Sequence, residues 1–171
     1  MTLTEALAQL RAWCDVSRGA SIEIAPGVSG SFQSVATFGE DAVREIEREL
    51  GCVLPQAYYE FMAMVGESAL FGWSPHGGGP HFYHPRQVID TSMEWAAVGP
   101  EVERFCFVGE HRSMGDMMGF CVDRPVPGNF DIYCHEYLFE EYASTSDEIK
   151  SWREFGPYIV RLVASYGKDS L

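Results

Sequence analysis

The sequence predicts a single α+β domain in which an antiparallel-rich mixed sheet with a central meander packs against several helices. Apolar residues recur every three or four positions in several segments, which is the period of an amphipathic helix. Other segments are short and apolar and lie between turn residues, which is typical of strands. The later strands are joined by short connections and must therefore be antiparallel. A chain of 171 residues has the length of one domain.

The clearest helical segments lie on either side of Gly51. Ile46 and Leu50 are at helical spacing before this glycine, and a glycine can close a helix because it adopts the left-handed conformation without a Cβ clash. Pro55 is expected at the first position of the next helix, where a missing N–H has no consequence. That second helix is expected to end at Gly66. Together the two segments predict a helical corner.

The remaining elements are predicted by the same criteria. Helices are expected over 4–17, 85–98 and 156–166, and strands over 21–24, 69–73, 105–108, 118–122 and 130–134. Residues 37–40, Thr-Phe-Gly-Glu, fit a capping box at the start of the helix that ends at Gly51. Segments 28–34 and 75–81 are rich in glycine, serine or proline and are expected to be irregular. The spacing does not decide between strand and irregular structure for 137–142.

The helical corner also carries a recognisable set of residues: Ile46, Glu47, Leu50-Gly51, Leu54-Pro55, Tyr58, Phe61 and Gly66. This pattern resembles the opening motif of the SUKH superfamily, which joins yeast cell-wall-synthesis regulators to bacterial immunity proteins that neutralise toxins. Val65 stands where the commonest family form has Asn. Further similarity lies in Phe107-Val108-Gly109, Gly115-Asp116, Gly119-Phe120, Val122-Asp123 and Phe155. The resemblance covers 37–166 and implies one SUKH-like domain, 1–171, in which 1–36 is an N-terminal helix and strand extension.

The composition predicts a soluble cytoplasmic protein. No apolar run approaches the roughly 18 residues of a membrane helix, and the first residues lack the basic start and apolar core of a signal peptide. The five cysteines are odd in number and contain no C-x-x-C pair. This pattern favours reduced thiols that are buried as small hydrophobic side chains.

The charge predicts the kind of partner. The chain has 25 acidic and 12 basic residues, a net charge of −13. Such a field repels phosphate backbones, so that nucleic acid is not expected as a partner, and it attracts basic proteins. The alternative is that the acidity only keeps the protein in solution.

Three histidines, His76, His81 and His84, form the one candidate metal site. Three imidazoles can bind zinc and leave an open position for catalysis. A Gly-Gly-Gly-Pro segment separates the first two, however, and ordering it on a metal would cost entropy. A solvated loop is therefore the favoured interpretation. We expect no cofactor and no catalytic residue.

The stretch from Glu136 to Glu148 is the predicted partner-binding surface. Carboxylates there would attract Lys and Arg side chains, and the interleaved Tyr137, Phe139 and Tyr142 could anchor the contact. The alternative is a solvated edge whose aromatic side chains turn to the core. The candidate binding residues are Trp73, Glu136, Tyr137, Glu140, Glu141, Asp147 and Glu148.

Together these observations predict a non-catalytic protein-binding domain. The SUKH resemblance implies a bacterial immunity protein that binds and neutralises a cognate toxin, often a nuclease. Two alternatives remain open. One is a metal-dependent hydrolase that uses the histidine cluster, and the other is an intracellular regulatory scaffold as in the yeast branch of the superfamily.

Overall fold

The computed structural model describes residues 1–72, 78–97, 104–112, 115–124, 126–134, 136–138 and 141–168. The helices in these ranges are α1 (Leu3–Ser17), α2 (Glu40–Leu50), α3 (Gln56–Met64), α4 (Pro85–Ala96), α5 (Tyr142–Ile149) and α6 (Phe155–Ala164). The strands are β1 (Ser21–Ala25), β2 (Val28–Ala36), β3 (Glu67–Gly72), β4 (Pro80–Phe82), β5 (Phe105–His111), β6 (Asp116–Cys121) and β7 (Phe130–Tyr133).

The seven strands form one sheet in which their spatial order is their sequence order. Every neighbouring pair is antiparallel. The predicted α+β class is therefore confirmed, and the meander extends from β1 to β7 instead of lying only at the centre. Within the described ranges, none of the helices combines the length and apolar character needed to cross a membrane.

The first face of the sheet carries the main core. Because side chains alternate along a strand, Cys106 and Val108 of β5 point to this face while Phe105 and Phe107 point to the other. Apolar side chains of α1, α2, α3, α4 and α6 complete the main core. At its centre lies Phe155, the first residue of α6, which is 2% exposed.

A smaller core occupies the second face, beneath α5. Its strand residues include Phe105, Phe107 and Tyr133, and α5 contributes Tyr142 and Ala143. The ring centroids of Tyr142 and Phe105 are 4.3 Å apart, and those of Tyr142 and Tyr133 are 4.6 Å apart. These contacts attach α5 to the sheet.

The helical corner is as predicted, with two differences. Gly51 ends α2 in the left-handed conformation, at φ 62°, whereas Pro55 is the N-cap of α3 and not its first helical residue. The predicted capping box is wrong, since Gly39 is the N-cap of α2 and no side chain caps it. The backbone N–H of Phe38 donates to the carbonyl of Met62 at 2.9 Å, which keeps this segment extended until Gly39.

Segment 28–34, predicted to be a loop, is instead part of β2. This strand pairs with β1 on one side and β3 on the other, so its glycine and serine backbone groups are satisfied within the sheet. Phe32 anchors it, with its ring centroid 5.1 Å from that of Trp13 and 4.9 Å from that of Phe71. Tertiary packing here outweighs a low intrinsic strand preference.

Two further elements differ from the predictions. Residues 80 and 81, predicted to be irregular, belong to the short strand β4, which joins β3 to β5. Residues 142–149 form α5 although Ser144, Thr145 and Ser146 are modest helix formers. The burial of Tyr142 and Ala143 stabilises this helix where propensity does not. Trp73, the last residue of one predicted strand, lies outside the described residues.

Gly66, at the junction of α3 and β3, has little room for a side chain. Its φ is 69°, and an added Cβ would lie 2.0 Å from the carbonyl oxygen of Ala36. We expect Gly66→Ala to lower the free energy of unfolding by about 3 kcal/mol or more. Gly27 is the matched control, since its φ is 73° and no atom lies within 4 Å of an added Cβ. Gly27→Ala should therefore cost only about 1 kcal/mol. Urea denaturation of both variants measures the difference, and equal losses would contradict the steric explanation.

Candidate partner-binding surface

Residues 136–138, in the connection from β7 to α5, present their side chains outward. The N–H of Tyr137 donates to the carbonyl of Cys134, and the N–H of Glu141 donates to that of Leu138, both at 3.1 Å. These two turns satisfy backbone groups locally. The side chains of Glu136, Tyr137 and Leu138 are exposed, with Tyr137 at 43% and Leu138 at 66% of their full accessibility.

Helix α5 extends this exposed area. Tyr142, Thr145 and Ser146 are buried against the sheet, whereas Glu141 and Glu148 are exposed. Positions 141 and 148 lie about two turns apart on the same side of a helix. We call the group formed by Glu136, Tyr137, Leu138, Glu141 and Glu148 the α5 surface.

Tyr142 does not belong to the α5 surface. The sequence suggested that this residue is interleaved with the carboxylates as an anchor, but it is 2% exposed and packs in the second core. Burial raises the pKa of its hydroxyl well above the usual value. The alternative, in which the aromatic side chain turns to the core, is therefore correct for Tyr142 and incorrect for Tyr137.

Asp147 is exposed but already has partners. Its carboxylate accepts hydrogen bonds from the guanidinium of Arg124 and from Nε1 of Trp152, the latter at 2.9 Å. The guanidinium of Arg124 also lies 4.3 Å from the centroid of the Trp152 ring. These contacts neutralise Asp147 and fix the end of α5 against the β6–β7 connection.

The carboxylates of the α5 surface differ from Asp147 because none of them forms an ion pair with a residue that the structure describes. Most of the basic residues form ion pairs with other carboxylates. Eight of the 12 basic residues lie within 4.0 Å of a carboxylate of another residue that the structure describes: Arg11, Arg44, Arg48, Arg86, Arg104, Arg112, Arg124 and Arg153. The net negative charge is thus carried by carboxylates such as those of the α5 surface.

A polar cluster lies on the same face of the sheet, over β4 and β5. His81 and Glu110 are cross-strand partners, and Nδ1 of His81 lies 3.3 Å from Oε1 of Glu110. The hydroxyl of Tyr83 and Nε of Arg112 donate to the same carboxylate, each at 3.4 Å. The carboxylate of Glu110 thus accepts hydrogen bonds from both neighbouring side chains. Burial, together with the charge of Arg112, lowers the pKa of His81.

The histidines of the candidate metal site have different local roles. Nδ1 of His84 accepts from the backbone N–H of Arg86 at 3.0 Å, so that His84 is the N-cap of α4. His81 instead faces Glu110, and His76 lies outside the described residues. Among the residues that are described, no three His, Cys, Asp or Glu side chains are grouped so that they could hold a metal ion.

Sequence reasoning missed three residues of this region. Leu138 has a weak signal, since it directly follows Tyr137 in a polar stretch. No signal in the sequence indicates the contact between Arg124 and Trp152, because the two residues are distant in sequence and only the folded sheet brings them together. Two predicted binding residues, Trp73 and Glu140, lie outside the described residues.

Comparisons with known proteins found nothing similar: no protein-family model matches this chain, and no curated protein or solved structure does so either.

The polar cluster generates a prediction about pH. The pKa of His81 in the folded protein lies below its ordinary value of 6.5, so below that pH the unfolded chain binds more protons at this site than the folded chain does. The free energy of unfolding contributed by His81 is therefore full above about pH 6.5 and falls as the pH drops. Urea denaturation of wild type and His81→Gln should show the stability difference moving against the wild type between about pH 7.5 and 5.5. A pH-independent difference would contradict this assignment.

Proposed function

We propose that this protein is a non-catalytic binding protein that recognises a basic protein partner through the α5 surface. The observation that carries the proposal is a combination of two features on α5 and the connection before it: exposed carboxylates without an ion-pair partner among the described residues, and the exposed side chains of Tyr137 and Leu138. Neither the carboxylates nor the apolar side chains alone would indicate a partner, because both occur singly on ordinary surfaces.

The carboxylates support a role in partner attraction. Glu136, Glu141 and Glu148 are exposed and project into a field set by a net charge of −13. Charges of this kind accelerate the encounter with an oppositely charged protein and orient it before contact. A partner rich in Lys and Arg at its binding face is the chemistry that this surface fits.

The apolar side chains support a role in holding the partner. An exposed tyrosine offers a large ring and a hydroxyl at low conformational-entropy cost, and interface energy is concentrated in such residues. Tyr137 and Leu138 are adjacent in sequence and both are substantially exposed. The carboxylates would surround them as a polar rim.

The attachment of α5 supports recognition without large rearrangement. Tyr142 fixes the start of the helix in the second core, and the contacts of Asp147 with Arg124 and Trp152 fix its end. A surface that is already ordered loses less entropy on binding. Asp147 thus has a positioning role in this proposal and not a contact role.

The SUKH resemblance narrows the proposal to a cytoplasmic immunity protein that occludes a cognate toxin. Nucleases carry basic surfaces that hold the phosphate backbone, and an acidic protein that covers such a surface presents charge of the same sign as the nucleic acid. No cofactor is required for this mode of inhibition. The alternative is an intracellular regulatory scaffold, as in the yeast branch, in which the α5 surface would bind a partner that is not a toxin.

The experiment is affinity purification of the tagged protein from cells that also express the toxin candidate encoded next to its gene. We expect a basic protein in stoichiometric amount, and we expect the toxin to become lethal when this protein is deleted. Recovery of no stoichiometric basic partner, together with unchanged toxicity on deletion, would contradict the proposal.

Once the partner is isolated, a charge-matched pair of variants tests the surface. Glu136→Gln/Glu141→Gln/Glu148→Gln should lower the association rate at low salt about tenfold or more, because it removes the steering charges, and the effect should shrink as salt screens them. Stopped-flow mixing measures both.

The control changes the same number of charges on α2 and α3, which pack on the first face of the sheet. Asp41→Asn/Glu45→Gln/Glu60→Gln should leave the association rate within about threefold of the wild type, because it changes the net charge but not the α5 surface. Equal losses in both triple variants would show that only the net charge matters.

A further inference from the structure

A cavity of about 510 Å³ lies where the first residues of α1, α3 and α6 meet the connection from β6 to β7. Most of its wall is apolar, with side chains from Leu3, Pro55, Pro127, Phe155, Pro157 and Val160. Sites for small molecules are clefts of roughly 300–1,000 Å³ that have mainly apolar walls and a few polar groups that orient the ligand. The volume and the apolar wall of this cavity fit that description.

Small residues keep this space open. Gly156 is buried, and an added Cβ there would lie 3.3 Å from Cβ of Ala57 and 3.6 Å from Cδ2 of Leu3. The lack of a side chain at Gly156 therefore lets α6 pack closely against α3 and α1. Ala57 and Gly128 also belong to the wall, and neither has a side chain long enough to fill the cavity.

Two helices begin in the wall of the cavity. Pro55 is the N-cap of α3 and Glu154 is the N-cap of α6, and no described side chain caps either helix. The first N–H groups of a helix have no partner within that helix. On α6 these are the N–H groups of Phe155 and Gly156, because Pro157 has none. The wall thus offers hydrogen-bond donors from the backbone.

A buried side chain adds a second polar group that is independent of the helix ends. Asn129 is 4% exposed and lines the cavity. Its side-chain amide has no hydrogen-bond partner among the described residues. The amide oxygen and nitrogen are not among the fully enclosed atoms that lack a partner, so the small accessible part of Asn129 includes its amide. Leaving a buried amide unpaired is costly, and a ligand that pairs with it removes this cost.

The charges around the cavity disfavour an ion as the buried polar group of a ligand. Glu154 and Met1 border the cavity but are exposed to water. A carboxylate would meet Glu154 and the field of a net charge of −13, whereas a cation would meet the positive ends of two helices. A neutral amide avoids both conflicts. Its oxygen can accept from the helix N–H groups, and its N–H can donate to the side-chain oxygen of Asn129.

We propose that this cavity binds a small apolar molecule that carries a neutral amide group. The apolar part of the ligand fills the cavity, and the amide pairs with Asn129 and with the N–H groups at the start of α6. None of the described residues that line the cavity belongs to the α5 surface. The inference therefore does not depend on the proposed function.

The experiment is an NMR titration of the purified, isotope-labelled protein with octanamide, octanoate and octylamine, three probes of equal chain length and different charge. We expect octanamide to shift the signals of the Ala57 and Gly156 backbone amides and of the Asn129 side-chain amide. It should bind about tenfold or more tightly than either ion, because the cavity offers neither ion a buried partner of opposite charge. Unchanged signals at these positions with octanamide, or equal or tighter binding of either ion, would overturn the proposal.

Two variants assign the binding to this cavity. Ala57→Leu should weaken octanamide binding about tenfold or more, because the added side chain occupies the space that the ligand needs. Asn129→Leu should weaken it about fivefold, because the partner of the ligand amide is lost, while its stability in urea should be no lower than that of the wild type.

Ala63→Leu is the matched control for the first variant. Ala63 lies on the same helix and is exposed, and it is not among the described residues that line the cavity. This variant should bind octanamide as the wild type does. Wild-type affinity in Ala57→Leu or in Asn129→Leu would overturn the assignment.

Discussion

The packing of one aromatic ring, that of Phe155, is the interaction on which the rest of the structure depends. Its ring centroid lies between 5.2 and 6.4 Å from those of six other aromatic side chains: Tyr58, Phe61, Phe82, Phe120, Phe130 and Tyr158. These residues belong to α3, β4, β6, β7 and α6, so one side chain joins the helical corner to the second half of the sheet. Several of the contacts are edge-on, the arrangement that aromatic quadrupoles favour.

The two faces of the sheet have different roles. The first face is committed to packing, and the helical corner that carries the SUKH resemblance lies there. The second face is covered by α5 over β5 to β7 and carries the His81–Glu110 cluster over β4 and β5. Because the main core is complete without α5, the outward face of that helix is free to carry charge. The carboxylates proposed to contact a partner therefore make no demand on the stability of the fold.

Short-range features of the sequence predicted those elements whose structure is determined by residues close to one another in the chain. The stop at Gly51, the amphipathic helices and the antiparallel meander follow from glycine stereochemistry, spacing and connection length. The sequence did not predict β2 and α5. In these elements the packing of Phe32 and Tyr142 stabilises a strand and a helix whose other residues have a low intrinsic preference for that structure. The candidate site divides in the same way. The exposure of Glu136 and Tyr137 could be predicted from a polar stretch, but the engagement of Asp147 by Arg124 and Trp152 depends on contacts between distant segments.

Amide hydrogen exchange of the protein alone and in complex with its partner tests most directly whether recognition lies on the second face of the sheet. Binding at the α5 surface predicts slower exchange over 136–138 and 141–149, with no change over α2 and α3. Protection confined to 40–64, with unchanged exchange in α5, would place the interface on the first face and contradict the claim.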